Sequence, residues 1–125
     1  MAAKRILLVE DEEEIADILA LVLRNEGYIV DTAATVAQAR QRLRGLRYTL
    51  VNSDLRLPDG DGLEIVDRAA ELGSRTSILS GYVFQLPAEA ADRHEVLMKP
   101  MRPSEFVAAV HRLIGPADEA DGRRL

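Results

Sequence analysis

Short apolar runs alternate with longer amphipathic stretches along almost the whole chain. Ile6-Leu7-Leu8-Val9 is a continuous apolar run between Lys4-Arg5 and Glu10-Asp11. Its length and charged flanks predict a buried parallel strand. Glu12 to Glu26 follows, with Ile15, Ile18, Leu19 and Val22 at helical spacing, acids in the first turn, Arg24 in the last and Gly27 as the stop. Tyr28 to Ala33 predicts a second strand. Thr35 is placed to cap a second helix that runs to about Arg44 and buries Val36, Ala39 and Leu43. Tyr48 to Ser53 is a third strand, ending on Asp54. Asp61 and Glu64 form an Asp-x-x-Glu cap for a helix through Leu63, Val66 and Ala70 to Gly73. Thr76 to Ser80 and Glu95 to Met98 predict the fourth and fifth strands. Pro103 opens a last helix with Phe106, Val110 and Leu113 on one face, and Gly115-Pro116 ends it.

Strand–helix alternation of this kind predicts an α/β fold, a doubly wound five-stranded parallel sheet in the order 2-1-3-4-5, because each crossover is right-handed. The switch point of that order lies beside strands one and three, which end in Glu10-Asp11 and Asp54. The alternation breaks between Ser80 and Glu95. Only Pro87 to Arg93 is helix-competent there, so the fourth helix is expected to be short, displaced or mobile. Residues 1–116 form one domain on this reading, and residues 117–125 a polar, frayed tail.

Composition narrows the chemistry. A chain of 125 residues holds one domain with a single core. It has no cysteine, which removes disulfides and thiolate metal sites. A net charge of −5, with no long basic run, argues against non-specific nucleic-acid binding, and no DNA-binding domain is expected. Arg40, Arg42, Arg44 and Arg47 on the second helix read as a solvated face. His94 and His111 are dispersed and suggest no metal cluster. The N-terminal apolar run is too short for a signal peptide or a membrane span, which places the chain in the cytoplasm, away from the membrane.

Three acids, Glu10, Asp11 and Asp54, are expected to converge at the C-terminal edge of the sheet. Like charges so close repel unless a cation is present, and a hard, oxygen-seeking Mg²⁺ fits carboxylates and an incoming phosphate. Lys99, after the fifth strand, brings a positive charge to the same rim, and Ser80, ending the fourth, a hydroxyl. Taken singly each has a plainer reading: an acidic helix start, a turn former, a turn signal, a surface lysine. Four strand ends carrying complementary groups together point to phosphoryl transfer onto Asp54.

With these residues the chain resembles a response-regulator receiver domain, CheY-like and flavodoxin-like in fold, over about residues 4 to 115. The resemblance rests on Glu10-Asp11, Asp54 with its following Leu57-Pro58-Asp59-Gly60-Asp61-Gly62, Ser80, and Lys99-Pro100. It implies that Asp54 accepts a phosphoryl group from a sensor histidine kinase or a histidine phosphotransfer protein. It also implies that Glu10, Asp11, Asp54 and the backbone carbonyl of Arg56 hold Mg²⁺. Lys99 would pair with the phosphoryl oxygens, Ser80 would turn inward to bond one of them, and the Lys99–Pro100 peptide would be cis.

Two departures qualify the resemblance. The family's usual Tyr or Phe on the fifth strand is Val96 here, and Tyr82 is the nearest substitute. The interval from Ser80 to Lys99 is also shorter than usual. Ser80-Gly81-Tyr82 resembles the switch strand of a single-domain subgroup from alphaproteobacteria. The leading expectation is a stand-alone switch that acts on an unidentified downstream protein or feeds a phosphorelay, with Gly81 to His94 ordering on phosphorylation. A Mg²⁺-dependent phosphatase with an aspartyl-phosphate intermediate is the alternative from the enzyme class. It would want an acid two residues after the nucleophile, where Arg56 stands. A degenerate receiver used as a constitutive binding module is the third reading.

Overall fold

Five parallel strands make the sheet of the computed structural model, which describes residues 3–81 and 86–117. In chain order the elements are β1 (Arg5–Val9), α1 (Glu13–Asn25), β2 (Ile29–Ala33), α2 (Val36–Gly45) and β3 (Leu50–Asp54). A small hairpin follows, β4 (Arg56–Leu57) with β5 (Gly60–Asp61), and then α3 (Gly62–Glu71). β6 (Arg75–Ser80), α4 (Ala88–Arg93), β7 (Glu95–Met98) and α5 (Pro103–Ile114) complete the fold. The sheet order is β2-β1-β3-β6-β7. Setting aside the hairpin, which the sequence did not announce, this is the expected 2-1-3-4-5.

Both faces of the sheet are covered, which is why β1 reads as an unbroken apolar run and the polar residues inside β3 and β6 are buried. On one face Ile6, Leu8, Leu50, Leu79 and Leu97 pack with Leu19 and Leu23 of α1 and Phe106 and Val110 of α5. On the other Leu7, Val9, Val51 and Ile78 meet Val36 and Leu43 of α2 and Ile65 and Val66 of α3. Among the described residues, Val96 and Met98, on β7, belong to neither cluster.

Two helix faces differ from expectation. In α1 the buried residues are Ala16, Leu19, Ala20 and Leu23, while Ile18 is 50% exposed. The two alanines let α1 approach the sheet closely, so the buried stripe follows small residues that the large apolar ones outweigh in the sequence pattern. Ile18 instead borders an apolar groove of about 610 Å³ between α1 and α5. In α3 the buried face is Ile65, Val66 and Ala69, with Ala70 exposed. Ala117 is not frayed: it is buried, and its carbonyl accepts from the Lys4 N–H at 3.3 Å. Residues 118–125 lie outside the described residues. α4 is short, at six residues.

Two local features fix the end of β3. A Cβ on Gly62 would lie 1.9 Å from the Asp54 carbonyl oxygen and 2.5 Å from Ser53 Oγ, so only glycine lets α3 begin against this strand. The Gly62 N–H donates to Leu55 O at 2.7 Å across the same junction. Deeper in the sheet, buried Asn52 donates through Nδ2 to Ser77 Oγ at 2.6 Å, joining β3 to β6 through side chains. No helix among the described residues is long and apolar enough to cross a membrane.

Candidate active site at the C-terminal edge of the sheet

Glu10, Asp11, Asp54, Ser80 and Lys99 each sit at or just past the C-terminal end of a strand, where a doubly wound sheet leaves its crevice. Glu10 and Asp11 follow β1, Asp54 ends β3, Ser80 ends β6 and Lys99 follows β7. Carboxylate oxygens of Glu10, Asp11 and Asp54 all lie within 4.8 Å of one another. Asp54, Arg56, Ser80, Gly81 and Lys99 border one cavity of about 210 Å³. Lys99 Nζ stands 3.2 Å from Asp54 Oδ1. The Lys99 N–H donates to Ser80 O at 3.0 Å, and the Lys99–Pro100 peptide is cis.

Burial makes the electrostatics unusual. Glu10 and Asp54 are 4% and 3% exposed; Glu10 Oε1 has no hydrogen-bond partner among the described residues, while Asp54 Oδ1 faces the Lys99 ammonium at 3.2 Å. Burial, and then the neighbouring Asp54 carboxylate, push Glu10 up to about 8, although Glu10 accepts from the Glu12 N–H at 3.1 Å. Burial likewise raises Asp54, against the opposing pull of Glu10 and Lys99. Burial alone would lower the Lys99 ammonium, but the charge of Asp54, backed by Glu10 and Glu12, leaves it above its ordinary value. Two buried carboxylates, one of them with an oxygen lacking a donor, beside exposed Asp11 are a donor set that suits a hard divalent cation.

A family model for the response regulator receiver domain matches residues 6–111 of the chain. The chain belongs to this family. The receiver domain is also found in its relatives: the chain is 33% identical over 130 residues to the DNA-binding response regulator MtrA of Mycobacterium tuberculosis. That match covers 98% of this chain and 55% of the regulator, so the chain spans about half of that relative's length. Among solved structures it resembles the receiver domain of a Pseudomonas aeruginosa sensor histidine kinase, solved with a magnesium ion coordinated in the active site cleft. The identity is 27%, the TM-score 0.76, and 91% of this chain and 99% of that one are covered. It also resembles the response regulator TrrA of Thermotoga maritima in complex with Mg²⁺ and BeF, at 28% identity and TM-score 0.77, covering 88% and 98%. The receiver fold and its place in two-component signalling are thereby given, and the acidic trio of this chain coincides with a site able to hold a metal ion.

The remaining expected residues lie around the site. Arg56 is exposed at the start of β4 and borders the Asp54 cavity. Val96 is half-buried on β7, in register with Ile78. Tyr82, the candidate substitute for the missing aromatic, lies outside the described residues, as do Val83 and Phe84. Of the basic residues near α2, Arg40 pairs with Glu64 and Arg42 Nε donates to Thr32 O, so the face is partly engaged. Glu64 is therefore held by Arg40, while Asp61 caps α3 by accepting from the Leu63 N–H at 2.8 Å.

His94 joins no metal-ligating group among the described residues, yet it holds a buried structural position. It is 3% exposed, with Nε2 2.6 Å from Asp67 Oδ1 and Nδ1 2.5 Å from Thr76 Oγ1. Arg93 donates to both oxygens of the same Asp67, at 3.0 and 3.2 Å. Burial would raise Asp67, but the hydrogen bonds from His94 and Arg93 hold it below its ordinary range. The end of α4 is thus tied to α3. No local spacing announces this, because the partners lie 26 and 27 residues apart.

Proposed function

We propose that this receiver is a phosphorylation switch in which Asp54 accepts a phosphoryl group from a phosphohistidine on a sensor histidine kinase or a histidine phosphotransfer protein. The observation that carries the reading is the pairing of buried Asp54 with Lys99 at 3.2 Å, inside a trio of carboxylates. One Asp54 carboxylate oxygen forms the new O–P bond as the P–N bond of the phosphohistidine breaks, and the electron pair leaves with the imidazole nitrogen. Glu10, Asp11 and Asp54, with the backbone carbonyl of Arg56, would hold Mg²⁺, and the solved relatives with magnesium support that assignment. When bound, the ion neutralises charge on the transferring phosphoryl oxygens.

The chain's own residues do the rest. Lys99 sits where it can shift from the Asp54 carboxylate to a phosphoryl oxygen, keeping its charge paired before and after transfer. Ser80 borders the same cavity and offers a hydroxyl to a second oxygen. The added phosphoryl carries about −1.5 to −2 charges at neutral pH. We infer that this charge, drawing in Ser80 and Lys99, re-sets the β6–α4–β7 edge and so a contact with a downstream protein or a relay partner.

Incubation with acetyl phosphate or phosphoramidate and Mg²⁺, read by intact mass, tests this directly. The wild type should gain one phosphoryl adduct that chelation of Mg²⁺ prevents, and Asp54→Asn should gain none. An unmodified wild type, or an adduct that survives Asp54→Asn, would remove Asp54 from the role.

A further inference from the structure

The turn of the β4–β5 hairpin is fastened to a different element. Asp59, exposed in that turn, accepts from the Val36 N–H at 2.7 Å through Oδ1 and from the Ala37 N–H at 3.1 Å through Oδ2. These are the first two amides of α2, which no residue of that helix can satisfy. The helix has no acid in its own first turn, and Thr35 takes only the Gln38 N–H, at 3.0 Å. Asp59 therefore supplies from 22 and 23 residues away the negative charge that a helix start prefers. The contact is close elsewhere too. A Cβ on Gly60 would come 3.2 Å from Val36 Cγ2, and Val36 and Leu57 are buried in one cluster.

The hairpin needs this fastening. Its ladder has only two residue pairs, Arg56 with Asp61 and Leu57 with Gly60, and two-stranded hairpins are marginal in water. Yet its first residue, Arg56, borders the Asp54 cavity. A metal ligand has to be held to about half an ångström to be useful. We propose that Asp59 is a positioning residue for the metal site, clamping the hairpin turn to the start of α2 and thereby holding the Arg56 backbone against the Asp54 cavity. This rests on the assignment of Mg²⁺ to Glu10, Asp11, Asp54 and the Arg56 carbonyl. By linkage, whatever the clamp contributes to metal affinity the metal returns to the first turn of α2.

Calorimetric Mg²⁺ titration of the full chain at about 0.15 M ionic strength, where exposed charges are screened, tests the clamp. Asp59→Ala should weaken Mg²⁺ binding about tenfold, as loss of a residue supporting a ligand does. Asp59→Asn keeps one acceptor and should fall between. Thr35→Ala removes the helix's other cap and should lower Tm without changing Mg²⁺ affinity, separating clamp from helix stability. In amide NMR spectra, Mg²⁺ should shift the Val36 and Ala37 resonances in the wild type and leave them nearly still in Asp59→Ala. If Asp59→Ala fails to fold, Asp59→Asn carries both measurements. Wild-type affinity in the Asp59 variants, or an equal loss in Thr35→Ala, would overturn the clamp and leave the metal site standing. A wild type that binds no Mg²⁺ would overturn both.

Discussion

Glu10 holds a carboxyl group where a lone carboxylate is unfavourable: buried, beside Asp54, with one oxygen lacking a partner. Its pKa of about 8 against an ordinary 4.5 follows from that. The folded state therefore binds a proton that the unfolded state has released between those values. The stabilisation this gives is complete below about pH 4.5 and is lost as the pH rises through about 8. In the metal-free protein Tm should fall from about pH 4.5 to about pH 8, and Glu10→Gln should flatten that part of the profile. Mg²⁺ affinity should rise over the same interval, because the ion displaces the proton. A Tm profile that does not respond to Glu10→Gln would show that Glu10 ionises normally. At this scale the sequence was informative about chemistry and silent about environment. Glu10, Asp11, Asp54, Ser80 and Lys99 could be picked out from strand ends, but nothing local distinguishes buried Glu10 from exposed Asp11. Nothing near Asp59 in the chain announces its partners, Val36 and Ala37, which lie 23 and 22 residues away.

At the scale of elements, α4 is the most dependent on its surroundings. Six residues are too few for a helix to persist alone, and the described part buries only Ala90. Its end is held instead by Arg93 and His94 on Asp67. Asp67→Ala should therefore raise amide exchange over residues 88–94 while costing about 1–3 kcal/mol, the range for leaving buried His94 with an unpaired ring nitrogen. Unchanged exchange in that segment would mean that α4 is held by packing alone. The sequence showed that a short helix stood here, from Pro87 and the interval length. It could not show what anchors it, because the anchor spans two elements. The apolar spacing of α1 and α3 did not by itself show that Ala16, Ala20 and Ala69 lie on the buried faces, because alanine carries little weight in an apolar pattern.

Across the whole molecule, register decides whether the site exists. Asn52 and Ser77 are directly paired in the β3–β6 ladder and joined by side chains. Any slip of β3 against β6 would separate them, leave buried polar groups unpaired and carry Asp54 away from Ser80. Ser77→Ala should cost about 1–3 kcal/mol in denaturant unfolding, and Asn52→Leu with Ser77→Ala should recover much of it, since removing both partners avoids an orphaned group. A double variant no more stable than the single one would assign the pair no such part. The topology itself was legible, because strand–helix alternation admits few arrangements. The hairpin β4–β5 was not, since two-residue strands leave no periodicity to read.

The position of Val96 and Met98 outside both hydrophobic clusters has a consequence for how such a switch can diversify. The domain's stability is concentrated in strands β1, β3 and β6 and the four helices that cover them. Among the described residues, Val96 and Met98 on the α4 side of β7 add to neither cluster. Substitutions there can reset the threshold at which the edge rearranges without endangering the fold, so partner choice can drift while the chemistry at Asp54 stays constant.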